Sequence, residues 1–126
     1  YLYTRIRPRY LGMPGQPAPA KSPDGQPSPA PLGAAHSAEI QYAMGNLDLD
    51  KRYTWEPDDY RVSEIMQAWF ANFIRTGNPN GPGLPNWPPY EPRTKYLRMR
   101  IDVIPRAEPE TDRVRYQVLD AIFAKL

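Results

Sequence analysis

The chain has 126 residues, 40% of them apolar, which suits one domain with a single core and is too little for two of ordinary size. Lysine and arginine total 16 against 14 aspartates and glutamates, and the resulting charge of +2 is too small and too evenly mixed for a nucleic-acid groove. There is no cysteine, which excludes a disulfide framework, a thiolate zinc site and a cysteine nucleophile, and leaves the redox compartment open.

No apolar run approaches the ~18 residues of a membrane-spanning helix, so neither a nucleic acid nor a membrane is expected as a partner. The chain opens Tyr-Leu-Tyr-Thr-Arg-Ile, without an initiator methionine and in what reads as the middle of a strand. The expectation is that these residues are one part of a longer folding unit.

Tyr1 to Ile6 alternate with the period of two that sends successive side chains to opposite sheet faces, and predict a well-buried strand. From Pro8 to Pro31 there are eight prolines among Gly, Ala, Ser and Gln, so residues 8–32 are expected to form a long surface loop or insertion. Residues 33–45 hold a short helix over His36 to Met44, with Ile40, Ala43 and Met44 on one face and Gly45 to end it. The basic stretches Arg5 to Arg9 and Arg93 to Arg100 read as solvated strand faces.

The strongest pattern follows. Val62, Ile65, Met66, Trp69, Phe70, Phe73 and Ile74 form an unbroken apolar stripe at helical spacing, which predicts a helix over 57–76 buried along that stripe. Pro57 suits its first turn, Asp58 and Asp59 complement the positive helix start, and Gly77 stops it. Asn78 to Pro92 carries six prolines and is expected to be a loop held down by Trp87 and Tyr90. Tyr96 to Val103 alternates as a strand with one buried and one wet face, and Thr111 is placed to cap a last helix over 111–126.

His36 is the single histidine, and a lone histidine is by default a surface or structural residue, since a general base needs a nucleophile and an orienting acid that spacing cannot display. His36-x-x-Glu39 places a nitrogen and a carboxylate on one helical face, but a metal site of that kind needs further carboxylate and histidine ligands and there is no second histidine. Neither a metal nor any cofactor is expected. Glu39 instead is expected to answer backbone donors at the start of the short helix or a neighbouring arginine, holding the His36 loop. Ser63, in the first turns of the long helix, is expected to bond the preceding turn and to support the site from behind.

The segment Gly33-Ala34-Ala35-His36-Ser37-Ala38-Glu39-Ile40-Gln41-Tyr42-Ala43-Met44-Gly45 resembles the type-B carboxylesterase stretch in which the triad histidine is followed three residues on by a glutamate and then by an aromatic-glycine pair. Met44 stands where the family usually has phenylalanine. Asp59 to Asn80, with Val62, Ser63, Met66, Trp69, Asn72, Phe73 and Thr76-Gly77-Asn78-Pro79-Asn80, followed by Trp87-Pro88-x-Tyr90, is similar to the family's penultimate helix and trailing loop. Tyr1-Leu2-Tyr3 resembles the strand before the histidine loop, and Arg113 to Leu126 the last helix.

The resemblance, which is to bacterial para-nitrobenzyl-esterase-like and cholinesterase-related members, implies the C-terminal portion of an α/β-hydrolase, with about two strands and three helices over residues 1–126. It implies His36 as the catalytic base of a serine esterase that cleaves small carboxylic esters through an acyl-enzyme. In this fold the serine precedes the acid and the acid precedes the histidine, and the serine sits on a Gly-x-Ser-x-Gly elbow. No such elbow occurs in the sequence, and Asp48 and Asp50 follow His36. The chain alone is therefore expected to be inactive, and to associate with itself or with the rest of a parent enzyme. The alternative is a catalytically silent, cholinesterase-like binding or adhesion domain.

Overall fold

The computed structural model describes residues 1–12, 32–91 and 96–125. In chain order they form β1 (Leu2–Tyr3), α1 (Ile40–Ala43), a 3-10 turn (Leu47–Leu49), α2 (Pro57–Thr76), β2 (Leu97–Ile101), β3 (Arg106–Pro109) and α3 (Arg113–Phe123). Most of the expected 8–32 loop lies outside the described residues.

The sheet has the order β1-β2-β3. β1 runs parallel to β2, with Leu2 opposite Arg100 and Tyr3 opposite Ile101, and β3 returns antiparallel with Met99 opposite Ala107. On β2, Met99 and Ile101 are buried and the alternate Arg98 and Arg100 are not, so the period-two reading of this strand holds from Leu97 to Ile101. It stops two residues before Val103 because Asp102 turns the chain: its carboxylate accepts from the Thr4 hydroxyl (2.7 Å) and from the Val103 amide (2.9 Å).

Two strand expectations need correction. β1 is two residues long and only half-buried, because beyond Tyr3 the side chains of Arg5 and Arg7 turn to polar partners and the backbone pairs instead with residues 52–54. The sheet has three strands rather than two. Arg106-Ala-Glu-Pro is too short and too charged to read as a strand alone, and is held by pairing along β2 and by Glu108 facing Arg98.

The long helix occupies Pro57–Thr76 as expected, with Pro57 in its first turn and Gly77 closing it at φ +75. Its start is a capping box: Glu56 and Asp59 each accept from the other's backbone amide. The core lies between this helix, α1 and the sheet, and consists of Tyr42, Leu47, Val62, Met66, Trp69, Met99 and Ile101. The stripe fades at its far end, where Phe73 is 58% and Ile74 84% exposed, since no described element covers the last turn.

The loop after α2 is pinned by more than its aromatics. Trp87 stands edge-on to Trp69 with ring centres 5.1 Å apart, whereas Tyr90 is half exposed. The Asn80 side chain clips the Trp87 backbone at both its amide (2.6 Å) and its carbonyl (2.8 Å).

The last helix starts at Arg113, not Thr111. Its cap residue is Asp112, whose carboxylate makes no capping bond because it is taken by Arg98 at 3.0 Å. Arg98 and Arg100 are thus paired with Glu108, Asp112 and Asp102 rather than simply solvated. No described side chain of α3 is buried.

Candidate functional site around His36

His36 is exposed, in a tight turn just ahead of α1. The Ala38 amide donates to the Ala35 carbonyl at 3.1 Å, which makes His36 and Ser37 the two central residues of a β-turn. Ser37 has φ +63, and it is the only described residue other than glycine with a positive φ. A side chain in that region costs about 1–2 kcal/mol, so the turn persists only where its surroundings hold it. This also explains why α1 covers Ile40–Ala43 and not His36 to Met44: a left-handed residue cannot continue a right-handed helix.

The surroundings are specific. Ala38, at the end of the turn, is fully buried. Arg7 donates through one terminal nitrogen to the Ser37 carbonyl (3.2 Å), the Ala38 carbonyl (3.4 Å) and Gln41 Oε1 (2.5 Å). Its other terminal nitrogen reaches the Tyr53 hydroxyl at 3.0 Å, and the Tyr53 ring lies under the guanidinium at 5.1 Å. Gln41 in turn donates to Asp50 at 2.6 Å, and Asp50 is gripped twice by Arg52 at 2.7 Å. That bonding to Arg52 holds the Asp50 carboxyl below the ordinary aspartate range. Arg7 is therefore not on a solvated strand face.

Glu39 occupies the N-cap position of α1 but its side chain makes no capping bond, and among the described residues no arginine pairs with it. The arginine that holds the turn is Arg7, bonded to backbone carbonyls. Glu39's negative charge is felt instead by Tyr1, whose hydroxyl is pushed up by burial and by that carboxylate.

Ser63 is buried and bonds across to another helix rather than to its own preceding turn: its hydroxyl donates to the Tyr42 carbonyl of α1 at 2.7 Å. Gln67 donates to the Ser63 carbonyl and hydroxyl. Ser63 thus ties α1 to α2, while no hydrogen bond or ion pair among the described residues joins His36, Glu39 and Ser63 directly. One helical turn earlier on the same face of α2, fully buried Asp59 accepts from the Tyr42 hydroxyl (2.8 Å) and from Arg5 (2.7 Å). Burial, followed by donation to that carboxylate, holds the Tyr42 hydroxyl well above the ordinary tyrosine range.

Among the described residues no group of three or more His, Asp or Glu is placed to hold a metal ion, and no helix is long and apolar enough to cross a membrane.

Comparison with known proteins gives this arrangement a context. The model of the Carboxylesterase family matches residues 14–118. Pyrethroid hydrolase Ces2e of Rattus norvegicus is 36% identical over 76 residues, a match that takes in 60% of this chain and 13% of the relative. Carboxylesterase 1E of Mus musculus is 45% identical over 64 residues, covering 51% of this chain and 11% of the relative. Among solved structures, a PNB esterase superposes with a TM-score of 0.58 at 26% identity over 71% of this chain and 19% of its own. The three helices and mixed sheet are part of an α/β-hydrolase fold, and the chain spans only 13–14% of the length of the first curated relatives it matches. With five-sixths of its residues inside the family model, the chain belongs to the carboxylesterase family.

Proposed function

We propose that this chain supplies the catalytic histidine, His36, of a type-B serine carboxylesterase whose nucleophile and triad acid lie on chain outside these residues. The observation that carries the reading is the exposed imidazole on a turn fixed immediately before α1, in a chain that belongs to the carboxylesterase family. In that role the ring takes the proton of the serine hydroxyl as it attacks the ester carbonyl, and returns it to the leaving alcohol. An imidazole can do both because the neutral ring accepts a proton at one nitrogen and the cation donates it again. Ser63 supports the turn at one remove, by bonding α1 to α2, and Glu39 stands at the N-cap of α1 three residues after His36.

The partner of these residues is the rest of such an esterase, and its substrate a carboxylic ester. What supports the docking is the apolar surface left bare: Val114, Val118, Leu119, Ile122 and Phe123 on α3 are all between 47% and 68% exposed, and Phe73 and Ile74 end α2 in the same state. Leaving such surface wet forfeits about 25 cal/mol for each Å².

Two measurements test the reading. The purified chain should hydrolyse a para-nitrophenyl ester no faster than its His36→Ala variant, since the oxyanion donors and nucleophile supply most of the rate. In the complete carboxylesterase that carries this segment, His36→Ala should lower kcat by several orders of magnitude with the fold retained. A loss below about tenfold would mean that His36 is not the base.

A further inference from the structure

We propose that Arg7 is a positioning residue for His36, which acts by holding the turn after the histidine in its left-handed form. The inference rests on the reading of His36 as the base and adds to it a residue 29 positions earlier in the chain.

The direction in which His36 leaves the backbone is set by the turn Ala35 to Ala38, and that turn requires φ +63 at Ser37. Serine has no intrinsic preference for this region; left alone, Ser37 relaxes to negative φ and carries the imidazole with it. The Ser37 carbonyl sits on the peptide unit that the Ser37 ψ torsion orients, the Ala38 carbonyl on the residue that closes the turn, and both accept from the same Arg7 nitrogen. A planar cationic fork is suited to this, because it can aim several donors at once with little freedom of its own.

Arg7 is itself over-determined. The Tyr53 ring and hydroxyl, Gln41, and through Gln41 the Asp50–Arg52 pair fix the guanidinium, and the backbone around it is anchored by the Leu11 amide to Arg52 carbonyl bond (2.6 Å) and the Thr54 amide to Arg9 carbonyl bond (3.1 Å). Its Nε is buried without a partner among the described residues, so the terminal nitrogens alone offset the burial of the charge. A cation that makes no direct ion pair among the described residues thus divides its donors between Gln41, Tyr53 and two carbonyls beside the candidate base.

The test uses the complete carboxylesterase that carries this segment, assayed with a para-nitrophenyl ester as wild type, Arg7→Met, Arg7→Lys, His36→Ala and Arg98→Met. Arg98, on the central strand β2, is held by Glu108 and Asp112 away from the His36 turn and serves as the structural control. Arg7→Met is expected to lower kcat by about 100-fold with KM changed by less than about twofold, the size of effect that a misplaced catalytic group produces. Arg7→Lys keeps the charge but not the fork, and is expected to recover kcat to within about tenfold of wild type. Arg98→Met is expected to lower the unfolding midpoint while leaving kcat within about twofold. If Arg7→Met does not fold, Arg7→Lys decides: a kcat reduced several-fold at unchanged KM supports the proposal, and a wild-type kcat overturns it. It is overturned equally if His36→Ala is inactive while folded Arg7→Met keeps kcat within about threefold of wild type. If His36→Ala itself stays within about tenfold, the reading of His36 fails first and the role of Arg7 goes with it.

Discussion

The Tyr42 hydroxyl and the Arg5 guanidinium meet on one oxygen, Oδ1 of Asp59, at 2.8 and 2.7 Å. The other oxygen of the same fully buried carboxylate accepts the Glu56 amide that opens α2. One side chain therefore joins the start of the long helix, the helix that follows His36 and the segment that follows β1.

Asp59→Asn is expected to lower stability by about 1–3 kcal/mol, because it leaves the Arg5 guanidinium with only the exposed Glu56 carboxylate, at 3.4 Å, as counter-charge. Denaturant unfolding measures it. Arg5→Met in the Asp59→Asn background should recover part of the loss; if it makes matters worse, the pair is not what stabilises this junction.

The same junction fixes how stability depends on pH. A hydroxyl whose pKa is raised on folding contributes stability that is fully present below the unfolded value, about 10 for tyrosine, and that is lost as pH rises toward the folded one. The Tyr42 hydroxyl is raised by burial and by its bond to Asp59. The unfolding midpoint should therefore fall above about pH 10, and Tyr42→Phe should be less stable at pH 8 but lose less between pH 8 and 11. Parallel slopes for the two proteins would place the alkaline transition elsewhere.

Gly45 and Gly77 both adopt left-handed backbone, at φ +64 and +75, after α1 and α2. A methyl group on Gly77 meets nothing within 4 Å, so Gly77→Ala is expected to cost about 1 kcal/mol for the torsion alone. On Gly45 it would strike the Gln67 amide and dislodge the bonds from Gln67 to Ser63. Gly45→Ala should cost more than Gly77→Ala, and Gln67→Ala should close most of the gap between them. Equal costs for the two glycine variants would show that Gln67 moves aside freely.

What the sequence displayed was whatever repeats or terminates locally. The stripe from Val62 to Ile74 has the helical period over four turns, and Pro57 and Gly77 mark its ends, so α2 could be read residue by residue. Arg106-Ala-Glu-Pro has no such period, and is a strand only because β2 lies beside it. His36 stood out as the single histidine, but nothing local announces the groups around its turn. Arg7 is bonded to carbonyls 30 and 31 residues away and Ser63 to one 21 residues away, and a backbone carbonyl leaves no mark in the amino-acid code. The left-handed Ser37 was equally hidden, since a glycine or asparagine would have flagged the position and a serine does not.

The parallel pairing of Leu2 with Arg100 has a kinetic consequence. The α1–α2 pair closes over about twenty residues, through Ser63 to Tyr42, and can assemble as soon as both helices are made. The β1–β2 ladder must bring together positions 98 residues apart, and the entropy of closing that loop has to be met before any strand contact repays it. The helical half, with the His36 turn at its edge, should thus gain protection from hydrogen exchange early in refolding. Arg5, which follows β1 and reaches back to Asp59, then acts as the latch that fixes the late-arriving strand to a unit already formed.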